Sequence, residues 1–229
     1  MKKTLRIWDL PTRLFHWLLV ICIAGAVICV NIGGYWMQWH AYFGYAVLSL
    51  VLFRVLWGFI GAVHSRFTTF VPSPQRLIAF LTGKEGGGLG HSPLGSLSVI
   101  ALLLVLGIQA GTGLFTDDDI LFQGPLAKYV SNATVSLLGS IHELNSNILF
   151  GLIGLHLLAI AYYQWIKRES IVMPMIQGDK EVDVERDGSG LTAAALLASK
   201  DGAAQRLTAL LSLCAIALLL LYALGIISF

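Results

Sequence analysis

The stretch Ile141–His156, IHELNSNILFGLIGLH, decides how the rest of the chain is read. It contains no Lys or Arg, one acidic residue (Glu143), and a histidine near each end. No alternation of apolar and polar residues suggests a strand, so the spacing predicts a helix. His142 and His156 are 14 residues apart. Fourteen helical steps of about 100° come within about 40° of four full turns, so both side chains leave nearly the same face. Their separation along the axis is roughly 21 Å. That is too far for one metal ion. It suits two stacked sites, one near each side of a hydrocarbon core about 30 Å thick.

The composition around this stretch agrees with a membrane setting. The chain has 229 residues, of which 56% are hydrophobic and only 12% charged, and the net charge is +2. Mean hydropathy is +0.76. Such values exclude a soluble enzyme, a disordered chain and a nucleic-acid binder. Five runs approach the roughly 20 apolar residues that a spanning helix needs. They are 14–30, 41–63, 97–115, 141–166 and 207–229, and no strand pattern competes with them. The expected fold is therefore all-α and integral to the membrane: a four-helix bundle over residues 1–177, a polar linker over 178–206, and an accessory helix over 207–229. The linker is expected to join the last helix loosely, with a short surface helix in LTAAALLASKDGAAQRL. Asp9, Pro11 and Arg13 break the layout of a cleaved signal peptide, so the first run reads as a retained helix. Cys22, Cys29 and Cys214 all lie in apolar runs without a CxxC pair, and read as packing residues.

Charge placement predicts the orientation. Of 15 Lys and Arg residues, only Lys128 lies away from the N-terminal segment, the connection between the second and third helices with the adjoining Arg54, and the connection between the fourth and fifth. The loop 116–140 instead carries Asp117, Asp118 and Asp119. The positive-inside rule then puts the N-terminus in the cytoplasm and the C-terminus outside.

This orientation sorts the histidines by depth. His16 and His156 fall near the cytoplasmic side, and His40 and His142 near the outer side. A lone histidine at a helix end is ordinarily an interfacial residue, but four at two matched depths behave as a set. Facing imidazoles can supply both axial ligands of a haem iron. Zinc would want about four ligands, and no Cys, Asp or Glu accompanies either pair at depth; Glu143 adjoins His142 but points about 100° away around the helix. Arg54 lies 14 residues after His40, near the inner level. It and Arg13 read either as snorkelling interfacial residues or as partners of a haem propionate. His64 and His91 sit in or beside the cytoplasmic connection and read first as non-ligating.

Six segments taken in order resemble a known family: DLPTRLFHW (9–17), HAYFGY (40–45), RVLWGFIG (54–61), HSPLG (91–95), QAGTGLF (109–115) and the opening stretch 141–156. Together they are similar to bacterial di-haem membrane cytochromes b of the cytochrome b561 and nickel–iron-hydrogenase b-subunit group. The resemblance covers about residues 8–166. It implies two haem b groups, with His16 and His156 on the cytoplasmic-side iron and His40 and His142 on the outer-side iron. It also implies electron transfer across the bacterial inner membrane between a quinone and a redox partner, such as a periplasmic c-type cytochrome. The quinone is expected near the cytoplasmic haem, with Arg13, His64, Arg66 or His91 as polar contacts. Two other functions fit the composition: a superoxide oxidase that reduces ubiquinone, and a haem-free anchor or transporter. With only Lys128 as a cation in the outer loop, attraction of an anionic substrate there is weak.

Overall fold

The computed structural model describes residues 2–84, 86–117, 122–183 and 198–228. Five of its helices are long and apolar enough to cross a membrane, which makes the chain a multi-pass membrane protein. They are α1 (Leu10–Ile32), α2 (Trp36–Ile60), α5 (Pro93–Gly113), α6 (Asn132–Ala161) and α8 (Ala203–Ala223). Helix α6 continues through a π-helical turn, Tyr162–Ile166. Short helices α3 (Phe67–Phe70), α4 (Pro74–Leu81) and α7 (Val172–Gln177) occupy the connections.

Helices α5 and α6 begin earlier than hydropathy alone suggests, because polar caps extend them. The Gly95 amide donates to Ser92 Oγ at 3.1 Å, and Pro93 follows the cap at the first helical position. The Thr134 amide donates to Ser131 Oγ at 3.3 Å, which starts α6 nine residues before Ile141.

The connections depart from expectation at one place. The membrane fold is all-α as expected, and outside the spans β1 (Lys2–Arg6) pairs antiparallel with β2 (Asp179–Asp183), in the register Lys3↔Val182, Leu5↔Lys180, Arg6↔Asp179. Leu5, Ile7, Trp8, Leu89 and Val182 form the buried cluster beneath the ladder. The turn into β2 requires Gly178. Its φ is +96°, and a Cβ there would stand 2.7 Å from the Trp8 carbonyl. Both the Ile7 and Trp8 amides donate to the Gly178 carbonyl, at 2.9 and 3.0 Å.

The segment read as a loose linker is tied down at both described ends. Arg6 makes a two-pronged contact with Asp179 at 2.6 and 3.0 Å, and reaches Asp201 Oδ2 at 2.7 Å. Asp201 Oδ1 accepts from the Leu10 amide at 3.2 Å and from Arg206 Nε at 3.0 Å. Ser199 donates to the backbone carbonyls of Arg6 and Ile7, at 2.7 and 2.6 Å. A carboxylate at the start of α1 also opposes that helix's positive end, where its own first turn has no acidic residue. Of the expected surface helix, residues 191–207, the first seven lie outside the described residues, 198–202 are not helical, and 203–207 are the start of α8.

By contact the chain divides into two compact units. The first comprises Met1–Leu14, Arg54–Ala101 and Gly154–Leu210. At its centre is Asp9, fully buried, which accepts from Thr12 Oγ1, Trp57 Nε1 and Ser65 Oγ at 2.5, 2.9 and 2.9 Å. The second comprises Phe15–Phe53, Leu102–Ile153 and Leu211–Phe229, with Val47, Leu50, Phe53, Leu106 and Leu149 buried within it.

Candidate functional site

In the second unit, His40 on α2 and His142 on α6 face each other. Their ring centres are 6.3 Å apart and the ring planes meet at 79°. Each ring is oriented by a backbone carbonyl. His40 Nδ1 lies 2.9 Å from the Ala26 carbonyl oxygen, and His142 Nδ1 lies 2.9 Å from that of Gln109. A carbonyl only accepts, so these contacts place the proton on Nδ1 in both rings. Both Nε2 atoms then carry the lone pair, the form in which neutral imidazole binds a metal. Thr112 Oγ1 adds a contact to His142 Nδ1 at 3.3 Å, and Gln109 Nε2 approaches His142 Nε2 at 3.0 Å.

Gln109, Thr112 and Asn145 are parts of this site that sequence reasoning missed. Asn145 is buried and donates to Gln109 Oε1 at 2.7 Å and to the Val105 carbonyl at 3.0 Å. The available signal was their polarity within apolar spans, where such side chains seek partners. Gly113 lets His142 sit close to α5, since a Cβ there would meet the ring at 3.0 Å.

The first unit gathers the remaining candidate cations and histidines, apart from His16; Lys128 lies in the second. Arg54 is 2% exposed. Its guanidinium carbon lies 5.5 Å from the ring centres of both Phe67 and Phe70, and Nη1 has no hydrogen-bond partner. Beside Phe70 is a small open pocket lined also by His64, Arg76, Gly90 and His91. Arg76 Nε and His91 Nδ1 are buried without hydrogen-bond partners. The His91 ring packs edge-on against Trp8 at 4.6 Å and tilted against Phe70 at 4.9 Å. Burial, and then the nearby Arg54, His64 and His156, push the His91 imidazole down to about 3.

Arg76 was not anticipated. It follows the Ser73 cap of α4, whose Oγ accepts the Arg76 amide at 3.2 Å. Arg66, expected near this pocket, is exposed, and its Nε donates to the Gly61 carbonyl at 2.8 Å, closing the turn after α2. Arg13 Nη1 donates to the Ile176 carbonyl at 2.6 Å, and Nη2 lies 3.9 Å from Asp201. Its guanidinium thus faces the tie between the N-terminal segment and residues 176–201. His156 is half-buried on the far part of α6 and falls in the first unit. His16 on α1 falls in the second, its ring edge-on to Trp17 at 5.0 Å. Among the described residues, no group of three or more His, Cys, Asp or Glu side chains is arranged to hold a metal ion. The His40–His142 pair therefore suits a metal whose other ligands come from elsewhere, as a porphyrin supplies four.

The sequence model of one family, described as prokaryotic cytochrome b561, matches residues 7–178. The chain belongs to the prokaryotic cytochrome b561 family. This cytochrome is also similar to a protein of Bradyrhizobium diazoefficiens, 23% identical over 79% of this chain and 87% of that one, called a probable Ni/Fe-hydrogenase B-type cytochrome subunit. A protein of the same description from Azotobacter chroococcum mcd 1 is 24% identical over 75% of this chain and 86% of its own. A membrane b-type cytochrome carries haem b, which sets aside the haem-free alternative. The cytochrome's residues fit that group. Two metal–nitrogen bonds of about 2 Å, with about 1.1 Å from each nitrogen to its ring centre, bring facing imidazole centres about 6 Å apart. The unpartnered Nη1 of buried Arg54 is the kind of donor a propionate satisfies.

Proposed function

We propose that this cytochrome holds two haem b groups and carries electrons across the bacterial inner membrane between a quinone and a separate redox protein. The observation that carries the reading is the His40–His142 pair: ring centres 6.3 Å apart, with each Nδ1 committed to a backbone carbonyl, so that each Nε2 carries the lone pair a metal needs. His40 and His142 are the ligands of the outer-side haem. His16 and His156 are the ligands of the cytoplasmic-side haem; that pairing rests on their matched depth in the sequence. Reversible one-electron transfer is the chemistry that the haems supply when bound.

The remaining assignments concern the protein's own groups. Arg54, desolvated between two aromatic rings, binds a propionate of the cytoplasmic-side haem. Arg76 Nε–H and His91 offer donors to a quinone carbonyl in the pocket beside Phe70, and His64 closes it. The N-terminus lies in the cytoplasm and the C-terminus in the periplasm, as the Lys and Arg distribution indicates. Both relatives carry the name of a hydrogenase cytochrome subunit, and a Ni/Fe hydrogenase is accordingly the redox partner we assign, in preference to a periplasmic c-type cytochrome.

Haem content of the purified membrane protein, measured as pyridine haemochrome, tests the reading. Two haems b per chain is the expected result. One haem per chain in a folded, haem-supplied preparation would refute the two-site arrangement.

A further inference from the structure

Gln109 touches His142 at both nitrogens, and the two contacts have opposite meanings. Its backbone carbonyl takes the Nδ1 proton at 2.9 Å, while its side-chain amide lies 3.0 Å from Nε2. The second contact falls on the atom that the proposed function gives to iron. Nε2 of a neutral imidazole has one in-plane lone pair, which serves one N–H or one metal and not both.

The amide's direction is fixed by its neighbour. Asn145 donates one N–H to the Val105 carbonyl at 3.0 Å and the other to Gln109 Oε1 at 2.7 Å. With Oε1 held by a donor, the NH2 group of Gln109 must face His142. Asn145 is 6% exposed, so water does not readily replace these bonds.

We infer that Gln109, oriented by Asn145, is a latch on His142 that competes with iron for Nε2 and so sets how tightly the outer-side haem is held. This rests on the reading of His142 as a ligand. Whenever iron is off the ring, the amide takes the lone pair; binding must break that hydrogen bond. The side chain is not needed to orient the ring. The Gln109 backbone carbonyl and Thr112 Oγ1 at 3.3 Å do that through Nδ1, and no side-chain substitution at 109 removes the carbonyl. Removing the amide therefore abolishes the competition and keeps the positioning. A typical net hydrogen bond corresponds to about a fivefold change in an equilibrium constant.

The test uses the full-length holoprotein and measures haem retained against a graded excess of apomyoglobin. His142→Ala identifies the outer-side haem as the one it loses. Gln109→Met is similar in length but lacks the amide. Gln109→Asn keeps an amide one methylene too short to reach Nε2, and serves if the methionine variant folds poorly. Both variants should retain the outer-side haem about fivefold more tightly, with the other haem unchanged. A merely supporting residue gives the opposite sign. Equal or weaker retention of the outer-side haem in a folded variant overturns the latch. Retention of both haems by His142→Ala, where Gln109 is intact, overturns the ligand reading and the latch with it.

Discussion

Replacing Asp201 with Ala should release the N-terminal strand while leaving the spans inserted. The carboxylate accepts from the Arg6 side chain at 2.7 Å and the Leu10 amide at 3.2 Å, and is only 7% exposed. Capping the first amide of α1 contributes about 1 kcal/mol. The charge-assisted bond to Arg6, a side chain 31% exposed, adds about 1–2 kcal/mol after allowance for solvent. The exposed Arg206 contact adds little. The loss of about 2–3 kcal/mol should speed amide exchange in peptides covering residues 2–10 by about 30- to 140-fold. Hydrogen–deuterium exchange of the detergent-solubilised holoprotein, read by mass spectrometry, measures this directly. Burial pushes the Asp201 carboxyl up, but hydrogen bonds from Arg206, the Leu10 amide and Arg6 outweigh it and hold the group below its usual 3.8. The contribution is therefore full above that value and lost as pH falls through the depressed one. Unchanged exchange in residues 2–10 at neutral pH would refute the reasoning.

Four further outcomes are expected. His156→Ala should remove one haem and leave most of the other; unchanged spectra with two haems would show that the cytoplasmic-side ligand is another residue. Asp9→Ala leaves the Trp57 and Ser65 donors facing an apolar methyl in a buried site, and should cost at least about 3 kcal/mol, read as a sharp loss of folded, haem-containing yield. His91 is neutral in the folded protein down to about 3, whereas an unfolded chain protonates it below 6.5. Stability is therefore full above 6.5 and falls with pH below it, and His91→Gln should narrow the gap between melting temperatures at pH 7 and pH 5. A chain ending after Gly178 should keep haem b but lose exchange protection throughout residues 2–10, because β2 and Asp201 go with the deleted part.

Legibility in the sequence followed the strength of the physical signal. The five spans announce themselves, because a bilayer demands some 20 apolar residues in a row and little else does. His40 and His142 are visible because imidazoles are rare and costly at that depth. The pairing of β1 with β2 is not visible. KKTLR and DKEVD are five residues each, largely charged, without the alternation that marks a half-buried strand, and their contacts are 173 residues apart. Gln109 lay inside a segment recognised as family-like, but an isolated amide does not say which residue it will meet. Arg66 and Arg76 show the limit for charges. Both are basic residues of one connection, and only the turn at Gly61 and the cap at Ser73 decide that the first closes a loop and the second borders a pocket.

The tie of β1 to β2 and Asp201 has a consequence for biosynthesis. A polypeptide emerges from the ribosome N-terminus first, so Arg6 appears long before its partners, with 173 residues to Asp179 and 195 to Asp201. A segment made early is thus among the last to reach its final structure. Until β2 arrives, β1 presents an open strand edge, a feature that invites wrong pairing. Nascent chains halted between the fourth helix and β2 would share that exposed edge, giving a quality-control system one common mark by which to sort unfinished molecules from finished ones.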